Sequence, residues 1–158
     1  MTEFESRHKG TKTVTVVLLI ALVVGIGGGW LIGAFTSGSS ESPGSVYAAR
    51  ADGGSLVGGL LTLKAVGNSV VKVDSNTKEA QPSDAAAFFS GWNDTFGSGA
   101  RSAVVTGTTP DGEVQLVLEL TNASFSEIGY VVEFDADVVS GPAEVRGLTN
   151  VTLLIDGD

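Results

Sequence analysis

Three carboxylates alternate with three apolar side chains in "VEFDADV", where Glu133, Asp135 and Asp137 stand two apart with Phe134, Ala136 and Val138 between them. In a strand this spacing puts the acids on one face and the apolar groups on the other. Carboxylate oxygens are hard ligands that suit calcium, so the row is the best metal candidate in the chain. Acids along one straight strand do not converge on an ion as those of a loop do, and the first expectation is a solvated outer face. The end of the chain, "IDGD", adds Asp156 and Asp158 and reads as a frayed acidic terminus.

Other chemistries are excluded by what is missing. The chain has no cysteine, and its one histidine, His8, precedes the long apolar run. The part after that run therefore cannot build a Ser-His-Asp triad, a Cys-His pair or a nitrogen- and sulfur-rich metal site. Two carboxylates can hydrolyse a glycoside, but a β domain of about a hundred residues offers little cleft for it, so the expectation is a non-enzyme without a cofactor. Asn93, Asn122 and Asn150 each open an Asn-x-Ser/Thr triplet, the acceptor pattern for glycosylation in a suitable host. A near match to a dinucleotide-binding glycine pattern, from Gly25 to Trp30, is void, because no strand precedes it.

That glycine pattern lies inside "TVTVVLLIALVVGIGGGWLIGAF", residues 13–35, which is 23 residues without a charge. As a helix it covers roughly 34 Å, enough for a bilayer core of about 30 Å. A cleaved signal peptide has an apolar core of about 7–15 residues with a cut close behind it. The nearest suitable cut here follows Ala48 in "SVYAAR", more than ten residues past Phe35, so a retained single-pass helix is predicted. Arg7, Lys9 and Lys12 flank its start, whereas no basic residue follows until Arg50. The positive-inside rule then puts residues 1–12 in the cytoplasm and everything after Phe35 outside.

Ala21, Gly25, Gly29 and Gly33 recur every fourth residue, forming a strip without bulk along one face of that helix. Such strips let a second membrane helix approach closely, and close packing is what drives association in lipid. After residue 35 the chain holds 6 basic and 16 acidic side chains, a balance of −10. That charge disfavours nucleic acid and anionic lipid surfaces as partners of the outer part.

Residues 36–55, "TSGSSESPGSVYAARADGGS", are small and polar and are expected to form a flexible linker with a root-mean-square span of roughly 25 Å. Residues 56–158 are expected to form an antiparallel β-sandwich or small barrel. Its strands are expected at 56–66, 69–74, 102–107, 112–120, 129–139 and 150–156, all rich in valine, leucine and threonine. "TPDGE" predicts a tight turn joining Ala103–Gly107 to Glu113–Leu120. "PSDAAAFFSGWNDTFG", residues 82–97, predicts one short helix with Ser83 as N-cap and Gly97 at its end. Phe88, Phe89, Trp92 and Phe96 recur along it at helical spacing, an aromatic face expected to close one end or face of the strands.

Leu61–Val66, Ser83, Phe88 or Phe89, Trp92, Phe96, Asp111–Glu113, Val117–Leu120, Tyr130–Val132, Ser140–Gly141 and Leu154–Asp156 follow one another in an order that resembles an uncharacterised family of exported bacterial β-rich domains. The resemblance covers about residues 60–157. The family's aromatic-Ser-Asp-Arg-Pro segment is replaced here by "VKVDSN", of which only Asp74 matches, and "LTNASF" stands where "LxDPxY" is expected. It implies an exported β domain and brings no activity, cofactor or catalytic residue.

The leading expectation is a non-catalytic accessory subunit of the membrane, whose glycine-striped helix docks on other transmembrane helices while the outer β domain serves as a scaffold or docking module. Two alternatives stand beside it. One is self-assembly through the same strip, as a homodimer or a pilin-like filament; the other is a tethered module for calcium or a glycan.

Overall fold

A computed structural model describes residues 44–157. The predicted membrane helix, with Ala21, Gly25, Gly29 and Gly33, lies outside the described residues, as does the predicted cytoplasmic segment 1–12. Among the described residues no helix is long and apolar enough to cross a membrane.

Eight strands and two short helices follow in the order β1 (Ser45–Val57), β2 (Leu60–Val66), β3 (Ser69–Asp74), β4 (Ala80–Asp84), α1 (Ala85–Ser90), α2 (Trp92–Phe96), β5 (Arg101–Thr109), β6 (Gly112–Ser126), β7 (Val131–Ser140) and β8 (Val145–Asp156). Every strand pairing is antiparallel. The hydrogen-bonded order runs β2-β7-β6-β5-β8-β1, and β1 also pairs with β2. Six strands thus close into a ring, the small-barrel form of the antiparallel architecture expected from sequence. Ring closure removes open edges, and the β3-β4 hairpin hangs from the first residues of β1.

The hairpin read from "TPDGE" is present: Thr109 pairs with Gly112 around Pro110 and Asp111, and Thr109 Oγ1 accepts the Asp111 N–H at 3.2 Å. Three expectations are corrected. Residues 45–55, expected as linker, are strand: β1 pairs with β8 along nearly its whole length and with β3 and β2 on its other side. Alanine, glycine and serine have low strand propensity, but pairing on both edges overrides it. The glycines here serve close approach rather than flexibility. A Cβ on Gly54 would lie 2.9 Å from Leu63 Cδ2 and 3.1 Å from the Thr62 carbonyl oxygen.

The second correction concerns 56–66, which is two strands. Gly58 and Gly59 hold φ of 60° and 76°, the pair of positive values that a tight two-residue hairpin needs. The third concerns the helix. Asp84, not Ser83, is the N-cap, with Oδ2 accepting the Ala87 N–H at 2.9 Å. Ser83 belongs to β4 and donates from Oγ to the Val70 carbonyl. Gly91 then divides the predicted helix into α1 and α2.

The helix pair fills one end of the ring. Tyr47 at the start of β1, Phe125 at the end of β6 and Phe134 in β7 mark that end, and the four helical aromatics pack into it. Phe134 meets Trp92 with ring centroids 5.2 Å apart and Phe89 at 5.9 Å. Tyr47 meets Phe88 at 4.9 Å and Phe96 at 5.4 Å. The edge-to-face geometry of most of these pairs adds to the burial of apolar area. The aromatic face therefore belongs to the core, as its spacing predicts.

Candidate functional site

β7 alternates as its sequence predicts up to Asp137, with Glu133, Asp135 and Asp137 exposed and Phe134 and Ala136 buried, but Val138, expected on the apolar face, is exposed. The acids do not gather into a metal centre. Glu133 stands opposite Thr62 and Ser124, and Asp135 opposite Leu60 and Thr121. Asp137 stands opposite Glu119, itself held by the Ser102 hydroxyl, which donates to Oε1 at 2.8 Å. Asp135 Oδ2 accepts from Asn122 Nδ2 at 2.7 Å. Among the described residues no group of three or more His, Cys, Asp or Glu could hold a metal ion. What the row forms is an acidic strip on the outside of β6 and β7, able to face a basic partner.

Two of the three glycosylation triplets fall on breaks in strand pairing. Asn122 has φ 55° where the β6-β7 register shifts between Thr121 and Ser124, and Asn150 has φ 50° beside the β5-β8 shift. Asparagine tolerates the left-handed region better than other side chains except glycine. The asparagines thus have a backbone role independent of any modification. Asn93, in α2, is exposed, as are the other two.

Asp74 closes the β3-β4 turn. Its Oδ1 accepts the N–H groups of Thr77 at 2.9 Å and Asn76 at 2.8 Å. The Thr77 bond, then the Asn76 bond, holds its carboxyl below the ordinary aspartate range, with a smaller contribution from the Lys72 charge. Because the folded value is lowered, the stabilisation is full above the unfolded pKa of about 3.9 and is lost as pH falls through the folded one. Asp74→Asn should therefore show a lower urea midpoint than the parent chain at pH 7, and the difference should shrink towards pH 2. A difference that stays constant with pH would show that the charged form contributes nothing.

Trp92 is 2% exposed, and its Nε1–H has no acceptor among the described residues. It is surrounded by Phe88, Phe96 and Phe134 rings, so the indole serves the aromatic plug and no polar site forms there.

A surface that the sequence reading missed lies on the other side of the strands. Val46, Val104, Val117 and Leu154 form a second apolar cluster, with Ala48 against it, separate from the core inside the ring. The signal for it was present: Ala103-Val104-Val105, Leu116-Val117-Leu118 and Leu153-Leu154-Ile155 are unbroken apolar runs. Strands covered on one face alternate, whereas strands covered on both read as continuous apolar stretches.

Comparison with protein-family models, with curated proteins and with solved structures finds no match for this chain.

Proposed function

We propose that this chain is a single-pass, non-catalytic accessory subunit of a membrane assembly, with residues 1–12 in the cytoplasm and the β barrel outside. The observation that carries this reading is the uncharged run Thr13–Phe35, preceded by Arg7, Lys9 and Lys12 and striped by Ala21, Gly25, Gly29 and Gly33. A strip of small residues has its use where another helix lies against it. The barrel supports the reading by its chemistry. It has no histidine or cysteine, its acids are spread along a strand, and its largest aromatic group is committed to the core.

The test is co-purification in mild detergent. Gly29→Leu with Gly33→Leu puts bulk on the strip without reducing the hydrophobicity of the run. The double variant should reach the membrane at the parental level and lose its co-purifying partners. Unchanged co-purification would overturn the proposal. The same preparation addresses self-assembly: partners that prove to be further copies of this chain would favour the homodimeric or pilin-like alternative.

A further inference from the structure

The second apolar cluster is a continuous row on the outside of the ring. Ala48 in β1 stands opposite Leu154 in β8, Leu154 opposite Val104 in β5, and Val104 opposite Val117 in β6. Their chain neighbours Ala49, Leu153, Ile155, Ala103, Val105, Leu116 and Leu118 all belong to the inner core. With a side-chain period of two, the row must face outward.

An outward side chain in a single layer is shielded at its flanks by cross-strand neighbours, but its tip stays wet unless something lies over it. Val46 and Leu154 are 1% exposed and Val104 is 0%. Among the described residues only Ala48 joins the four members of the cluster. The aromatic helices cannot be the cover, because their buried side chains belong to the inner core.

We infer that this row is the seat of Trp30–Phe35, the "WLIGAF" that ends the apolar run. Residues 36–44, "TSGSSESPG", lie between the run and the barrel and contain no large apolar side chain. The closest ones along the chain before them are Phe35, Ile32, Leu31 and Trp30. The row begins at Val46, the second residue of β1, so the chain enters the barrel beside it. Nine residues can extend over roughly 30 Å, which places no limit on reaching it. Four adjacent strands put three gaps of about 4.8 Å under the row, roughly 14 Å in all, and a helix with its side chains is about 10 Å wide.

The seat rests on the buried outer row and narrows the membrane reading: Gly33, inside Trp30–Phe35, goes to the barrel, and Ala21, Gly25 and Gly29 are left to face other helices. With Trp30–Phe35 on the barrel, the 17 residues Thr13–Gly29 remain, the short end of the range for a bilayer span. The barrel is then held against the membrane in one orientation instead of swinging on a linker.

Disulfide trapping in the full chain tests this directly, since the protein has no cysteine of its own. Thr106 and Thr152 flank the row and stand opposite one another. Thr106→Cys and, separately, Thr152→Cys are combined in turn with Leu31→Cys, Ile32→Cys, Ala34→Cys and Phe35→Cys. Each protein is oxidised mildly in detergent and its intrachain disulfide read by mass spectrometry and maleimide protection. At least one pair from each series should be trapped within the chain in more than half of the molecules, and a Thr2→Cys control should not. Free thiols in every pair would overturn the inference, and disulfides only between chains would overturn it in favour of a second copy on the row. Gly25→Leu with Gly29→Leu, which leaves Trp30–Phe35 unchanged, tests helix docking by co-purification alone, so the two ideas fail separately.

Discussion

A chain that begins at residue 56 is expected not to fold, whereas one that begins at residue 44 keeps the barrel. The first deletion removes all but Leu56 and Val57 of β1, and with them the pairing to β8, to β3 and to most of β2. The ring then opens at two seams, and the backbone groups of β8 on one side and β2 on the other lose their partners. Tyr47, Ala49 and Ala51 also leave the core. Open sheet edges next to uncovered apolar surface favour aggregation over a folded monomer. Far-ultraviolet circular dichroism and near-ultraviolet signals of the aromatic plug distinguish the outcomes. A cooperative unfolding transition in the 56–158 fragment would show that β1 is an accessory to the fold rather than one of its walls.

Phe134→Ala should cost about 3–5 kcal/mol, the usual range for truncating a fully buried phenylalanine. Phe134 is 0% exposed and touches both Phe89 and Trp92, so its loss leaves a void where β7 meets both helices. The rings around it are held by one another and by the ring of strands, which limits collapse into the void. Urea unfolding of the full chain measures the change as a shift of midpoint at constant slope. A loss below about 1 kcal/mol would mean that the plug repacks freely and does not fix the end of the barrel.

The parts of this fold that were legible in the sequence are those where local preference and tertiary environment agree. Val114, Leu116, Leu118 and Leu120 alternate inward behind a Pro-Asp-Gly turn, and β6 and its hairpin follow from that. The aromatic helix was legible for the same reason, although its division at Gly91 was not. A helical pattern continues across one glycine, and the break shows only in the Gly91 backbone, at φ −93° and ψ 17°.

β1 was illegible because its interior positions carry Ala49, Ala51 and Gly54, small residues dictated by what the strand packs against, and small residues with serine resemble a linker. β4, "AQPSD", is exposed along its length. It has no buried face to imprint a pattern, and Pro82 is tolerated because the strand is the edge of the sheet. The acidic row was placed correctly on an outer face. The apolar row across β1, β8, β5 and β6 went unread because each strand contributes only one or two residues to it.

The central claim is that one uncharged run crosses the membrane and leaves the acidic barrel outside. Single-cysteine labelling tests it most directly in a chain without native cysteine. Ser98→Cys lies in the exposed segment after α2, and Thr2→Cys lies before the run. With a membrane-impermeant maleimide, Ser98→Cys should be labelled in intact cells and Thr2→Cys only after permeabilisation. Labelling of both in intact cells, or of Thr2→Cys alone, would contradict the account.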